Sequence, residues 1–554
     1  MEQYDVIVVG GGSAGAALAG RLSDTAGRSV LLLEAGPDYA RIEDFPLEIR
    51  RANVSSALAP GSPFGWPIVT QWTAGARMPL PRGRIIGGGS SVNGAYYVRG
   101  LAADFDRWAE SGNPQWSFDK VLPFFREGES DREFGADEAA HGSTGPLPIT
   151  RAMPGQMSPI SEHFFQACLD LGVEEDRDKN GLHTGDGVGA LPANIQDGVR
   201  FNSAMAHLTP RRGRPNLTVR GHALVERVLI EGRRAVGVRA VVGGKRQVIR
   251  GEEIILSAGA AKSPHLLMLS GIGPADELLA HGITVVQDLP GVGRDFMDHA
   301  EVLVGYKAAD VPLPVPNDTA LIEAVAHRTA EGSDFGSDLE IMPMTLPLMD
   351  ATMGRAAGIS QAKAMASMAS HPIGAFKAVR RADLSSMVRM TSSMGANAFI
   401  VSVLNPLSRG RMTLTSANPS VFPRSEHRSF SDPEDRRRMR EAIRFTVELM
   451  RTSAFAPMVR QISPQLVDVI GSDRDLDRWM LLNPAPSGHL MGTCKMGPSS
   501  DPGTVVDERC RVHGIDNLRV VDLSIAPDLL RRGPNATAMM MGARAADLID
   551  AETA

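Results

Sequence analysis

At 554 residues the chain is long enough for a large core and for more than one domain. Apolar residues make up 43% and charged residues 22%, the balance of a soluble globular protein, and a net charge of −6 lacks the basic footprint of a nucleic-acid binder. Only three cysteines occur, Cys168, Cys494 and Cys510, too sparse for a disulfide framework and without the C-x-x-C spacing of a zinc or iron–sulfur site. The sequence therefore predicts a reducing compartment and no metal. A strand beginning at Tyr4 leaves no room for a signal peptide, and no run is long and apolar enough for a bilayer span. The expectation is a cytoplasmic protein, with peripheral membrane contact left open.

Taken in chain order, Asp5–Val9 is an apolar, β-branched run bounded by glycines, which predicts a buried parallel strand. Gly10, Gly12 and Gly15 follow with G-x-G-x-x-G spacing: a tight turn, a backbone that a pyrophosphate can approach, and close packing of the next helix on the sheet. That helix is predicted from about Ser13 to Ser23, its N-terminal amides pointing at the anion. Ser29–Leu33 reads as the second strand. Glu34 ends it about twenty residues after the turn, where a carboxylate can accept ribose hydroxyls. Together these predict a dinucleotide site, and they do not choose between NAD and FAD.

Residues 37–78 read as loops or an extended arm. In Arg82–Arg99, three consecutive glycines, Gly87–Gly89, precede Ser90, Ser91 and Asn93, a polar loop flanked by apolar residues. Buried polar groups need partners, and a cofactor would supply them. A helix is expected at Ser161–Leu171, and Asn216–Val241 alternates as antiparallel strands joined at Glu231-Gly232, with Val225 in the first. Glu252–Ser257 is another buried strand, closing with Ala258-Gly259. Ser263-Pro264 reads as a helix start, Ser capping and Pro at the first helical position. Gly291–His299 is a polar loop. Met342, Met344, Met349, Met353, Met365, Met368, Met387, Met390 and Met394 crowd one segment, which fits either a pliable apolar substrate pocket or core filling. Asn517–Asp522 reads as a strand ending in an acid and Ala536–Leu548 as a helix, so the C-terminus is expected to rejoin the N-terminal sheet with Asn535 near the cofactor.

Four blocks then stand together: GGGSAG with Glu34-Ala35-Gly36, GRIIGGGSSVNGAYYVRG from Gly83, GAAKSPHLLMLSGIG from Gly259, and HLMGTCKMG from His489 with the tail VVDLSIAP and PNATAMMMGARAADLI. This pattern resembles the glucose–methanol–choline (GMC) family of flavin oxidoreductases across nearly the whole chain. The resemblance implies an α/β fold with an α+β substrate part: a Rossmann-like FAD-binding domain (1–40, 78–150, 200–300 and 486–554) interleaved with a substrate-binding domain built on an antiparallel sheet with helices (151–199 and 301–485). Residues 41–77 are expected to be an arm or loops. It implies FAD contacts at Gly10, Gly12, Ser13, Ala14, Gly15, Glu34 and Ala35 for the adenosine diphosphate half, and at Val225 for adenine. Arg84, Gly88, Ser91, Asn93, Gly94 and Ala95 would approach the flavin side, with Ala258, Gly259, Asp522, Asn535, Ala536 and Thr537 along the remaining stretch. Val92 stands where covalently flavinylated members often have His, which implies FAD held without a covalent bond.

The same resemblance implies oxidation of an alcohol to aldehyde or ketone by hydride transfer to flavin N5. His489 would be general base, since imidazole titrates near working pH, and Asn535 would orient the substrate oxygen. Gly488 replaces a bulky aromatic common before that His. Arg531 and Arg532 could meet an acidic substrate or acceptor, or form a solvated charged pair. The substrate is expected to be a small-molecule alcohol, apolar by the Met-rich segment, and the electron acceptor oxygen, a quinone or another carrier. The alternative is a hydroxynitrile lyase on the same scaffold with non-redox FAD. A light-driven decarboxylase is disfavoured, because no cysteine lies between Cys168 and Cys494.

Overall fold

The opening grammar folds as its residues dictate in this computed structural model, which describes residues 2–55, 57, 62–309, 320–347, 350–351, 397–485 and 487–553. β1 (Gln3–Val9) leads through the glycine turn into α1 (Ser13–Leu22) and back to β2 (Val30–Leu33). Val6–Val9 and Val30–Leu33 are at most 4% exposed, so both faces of these strands are covered, as a parallel sheet between helices requires. The next members are β3 (Leu217–Arg220), β4 (Ala223–Glu231), β5 (Arg234–Val242), β6 (Lys245–Leu256), α2 (Ser263–Leu269), β7 (Leu518–Val520) and α3 (Asn535–Thr553). The strand order is β3-β2-β1-β6-β5-β4, with β7 also paired to β6.

β6 changes partners along its length. Lys245–Arg250 runs antiparallel to β5, whereas Arg250–Leu256 runs parallel to β1, and Ile254–Leu256 takes β7 on its other side. The two ends of the chain thus meet on one strand, and α3 packs on α1. The 216–241 stretch divides more finely than its alternation predicts. Leu217–Arg220 is a separate strand parallel to β2, and a turn with His222 at φ +52° divides it from β4.

A second sheet is antiparallel throughout, in the order 459–462, 300–308, 397–403, 339–343, 324–328, 187–190, with 484–485 paired to 300–308. Helices Pro159–Asp170 and Pro433–Leu449 pack on it, burying Phe164, Phe399, Met439 and Ile443 among others. Residues 41–77 are not merely loops: Ile68–Thr73 and Ala76–Leu80 form a hairpin within a third sheet that includes 411–413 and 424–426. Alternating burial of Ile68, Thr70 and Trp72 explains why this strand forms, and the turn-rich composition hid it. Of the methionine-rich segment, Met342 and Met344 are buried, while Met349 and Met353–Met394 lie outside the described residues.

Candidate active site

The C-terminal ends of β1, β2 and β6 open on a cleft, the topological position where open α/β sheets bind ligands. Its wall includes Gly10, Gly12, Ser13 and Ala14 from the glycine turn, Glu34 and Ala35 from the end of β2, and Gly88, Val225, Ala258, Gly259 and Asp522. Glu34 is held by two amides: Gly11 N–H donates to its Oε2 at 3.0 Å and Gly36 N–H to its Oε1 at 2.7 Å. Burial pushes its carboxyl up to about 7, against the pull of those two amides and of Arg84. A raised carboxyl pKa favours the folded state below the ordinary value of 4.5, and the advantage is lost as pH rises through about 7. The flavin-free protein is therefore expected to lose stability between about pH 4.5 and 7 through this group. Replacing Glu34 by Gln should flatten that part of a melting-temperature profile.

The floor of the cleft fits a dinucleotide. A Cβ placed on Gly12 would come no closer than 4.0 Å to a protein atom, and one on Gly89 or Gly259 meets nothing within 4 Å, so side chains there would project into the space a ligand takes. Thr537 Oγ1, in the first turn of α3, is buried without a protein partner. Asp522 lines the cleft but works mainly as a brace: Gly259 N–H donates to Oδ2 at 2.9 Å, Ser524 N–H to Oδ1 at 2.8 Å, and Ser263 Oγ to Oδ2. That corrects the cap expected at Ser263, whose hydroxyl serves Asp522 while Lys262 occupies the N-cap of α2.

Other predicted residues sit behind this wall. Gly15 packs on the glycine turn. Arg84 lies 5.1 Å over the Trp66 ring. Ser91 Oγ donates to Ile86 O at 2.6 Å, and buried Arg200, which the sequence did not single out, fastens the loop by donating to Ser91 O at 2.8 Å and to Arg51 O and Val54 O at 2.7 Å. Ala95, at φ +60°, donates its N–H to Asn93 Oδ1 at 3.0 Å, forming the turn that contains Gly94. Val92 and Ala536 are buried.

His489 immediately precedes Leu490, which lines the cleft. Its Nδ1 is 2.9 Å from Nδ1 of His299, whose Nε2 lies 2.7 Å from Leu530 O. A carbonyl only accepts, so His299 carries its proton on Nε2; burial lowers the His299 pKa and keeps that ring neutral, leaving its Nδ1 as acceptor. His489 must then carry its proton on Nδ1, which leaves Nε2 as a bare lone pair. Burial foremost, with His299 and Arg82 adding to it and Asp298 opposing, pushes the His489 imidazole down to about 3. Asp298 secures the backbone, its Oδ1 accepting His489 N–H at 2.7 Å, and its Oδ2 lies 3.1 Å from Nε2 of His427, which stacks on Trp72 with centroids 3.9 Å apart. The sequence reading left Asp298 and His299 in an unassigned polar loop; that acid–imidazole pair was the signal.

Asn535 opens α3, and its Nδ2 donates to Tyr96 O at 3.2 Å and to Asn194 Oδ1 at 3.4 Å, so Oδ1 is the atom left for a ligand. Arg531 and Arg532 form no solvated pair. Arg531 is buried, donating through Nε to Asp104 at 2.7 Å, and Arg532 is fully buried against the carbonyls of Gly185, Ser337 and Arg531. The Asp104 carboxylate and these carbonyls supply in the interior the partners that water would supply to a solvated pair. Among the described residues, no helix is long and apolar enough to cross a membrane.

Comparison with known proteins places these features in context. Profiles described as GMC oxidoreductase match residues 4–301 and 406–542. An uncharacterized GMC-type oxidoreductase of Rhodococcus erythropolis is 32% identical over 99% of this chain and 98% of its own length. Oxygen-dependent choline dehydrogenase of Photobacterium profundum is 34% identical over 99% of this chain and 93% of its own. Among solved structures, pyridoxine 4-oxidase from Mesorbium loti superposes with a TM-score of 0.82 at 28% identity, covering 98% of each chain.

Proposed function

Since the chain belongs to the GMC oxidoreductase family, we propose that it binds FAD without a covalent link and oxidises an alcohol to an aldehyde or ketone, with His489 as general base and Asn535 orienting the substrate oxygen. The observation that carries the reading is the hydrogen-bonded chain Leu530 O–His299–His489, which gives His489 a bare Nε2 next in sequence to the cleft wall. That lone pair accepts the hydroxyl proton as the C–H bond weakens. Asp298 fixes the backbone that carries the ring, and Tyr96 and Asn194 hold the Asn535 amide in one orientation. When bound, FAD supplies the acceptor for the hydride that leaves the carbinol carbon. Val92, with no nucleophilic atom, supports non-covalent retention. The division expected from the sequence, cofactor on the first sheet and substrate against the antiparallel second, is supported by the separate apolar cores that the two seven-stranded sheets bury.

The test is reconstitution with FAD followed by anaerobic mixing with a panel of alcohols, apolar primary alcohols and choline included. Bleaching of the flavin absorbance by at least one alcohol is expected, and reoxidation by air or by a quinone identifies the acceptor. A flavin that stays oxidised while a cyanohydrin is cleaved would replace this reading with a lyase.

A further inference from the structure

Lys262 lines the dinucleotide cleft as a buried cation. Its ammonium lies 3.0 Å from His265 Nδ1, 5.4 Å from the Trp66 ring centroid and 4.9 Å from that of Phe422. Among the described residues no carboxylate pairs with it, and the charge that most affects it is Arg84, of the same sign. His265 is itself fully buried, with Nε2 unpartnered. Among the described residues the other deeply buried ammonium is neutralised differently: Lys179 has Asp176 at 2.9 Å and Gly187 O at 2.6 Å. Burial, and secondarily Arg84, push Lys262 down to about 8, so it stays largely charged at neutral pH at a cost in free energy.

A buried charge without a partner is costly unless a ligand brings one. The ligand of this cleft, on the FAD reading above, carries two negative charges on its diphosphate. The glycine turn that would receive that diphosphate lines the same cavity as Lys262. We propose that Lys262 is a recognition residue for the diphosphate of the bound dinucleotide, held in place by the Trp66 and Phe422 faces and by the lone pair of His265. The inference rests on the FAD reading.

The experiment compares the full-length wild type with Lys262→Met and Lys262→Arg, titrating flavin-free protein with FAD, ADP and adenosine. Lys262→Met is expected to weaken FAD and ADP by about tenfold or more, the size of a lost charge-assisted hydrogen bond, and to leave adenosine unchanged. Lys262→Arg should keep most of the affinity, and the loss in Lys262→Met should shrink at high salt. The flavin-free Lys262→Met protein should melt above wild type, because an unpaired buried charge is gone while the methylene chain still fills the space between the rings. Unchanged FAD and ADP affinity, adenosine weakened as much as ADP, or a lowered melting temperature with unchanged binding would each overturn the proposal in favour of a packing role. A wild type that binds ADP but not FAD refutes the cofactor reading and leaves Lys262 to be judged on ADP; one that binds neither overturns both.

Discussion

Replacing His489 by Ala is expected to lower kcat for alcohol oxidation by about 10²–10⁴-fold, the usual contribution of a positioned general base, with FAD content unchanged. The size follows from proton bookkeeping around two rings. Leu530 O fixes the proton of His299 on Nε2, the bare His299 Nδ1 fixes the proton of His489 on Nδ1, and only then is His489 Nε2 free to accept. Because burial holds His489 far below 6.5, the ring stays unprotonated through the mildly acidic range, and the acid limb of kcat/KM should fall well below pH 6. His299→Ala removes the acceptor that selects the tautomer without touching the lone pair itself. Its kcat should drop less than that of His489→Ala, and its acid limb should rise toward the ordinary imidazole value, because a neighbour and some desolvation are gone. Stopped-flow rates against pH for the three proteins decide it, and a His489→Ala protein retaining near-normal kcat would remove His489 from the chemistry.

Substituting Gly15 by Ala is expected to cost about 3 kcal/mol of stability, the upper end of the usual overpacking range, whereas Gly12→Ala should fold normally and lose FAD affinity. A Cβ on Gly15 would stand 2.0 Å from Gly10 O, backbone that cannot yield without moving the turn or α1. At Gly12 the added carbon has 4.0 Å of clearance and the backbone sits at φ −74°, ψ −163°, extended geometry open to any residue. One glycine of the motif therefore serves the fold and the other serves the ligand. Denaturant midpoints of the flavin-free proteins, beside FAD titrations, separate the two effects; a Gly12→Ala protein that unfolds as readily as Gly15→Ala would show the distinction to be wrong.

The sequence disclosed most where one residue type does one local job. The glycine turn, the apolar strands and the acid at Glu34 obey short-range rules, and each lies within a residue or two of its predicted place. His489 was legible through its family motif. Its partners were not, because Asp298 and His299 sit 190 residues away and act through contacts that only the folded chain creates. Arg531 and Arg532 were misjudged for a related reason: charge alone signals hydration, and nothing local reveals that Asp104 and the carbonyls of Gly185, Phe335, Gly336 and Ser337 wait in the interior. Lys262 passed unremarked beside the helix start, since an ammonium's lack of a counter-ion is a fact about neighbours rather than about order in the chain.

The change of partners along β6 carries a consequence for how the molecule is made. Ile254–Leu256 is flanked on one side by residues 3–9 and on the other by 518–520, so during synthesis that edge stays unpaired while residues 257–517 leave the ribosome. Pairing of such remote segments is slow, and an exposed edge in the interim invites association with other chains. Newborn copies are therefore most vulnerable to clumping in the interval before residues 518–554 emerge, and a shortened tail would prolong that interval indefinitely.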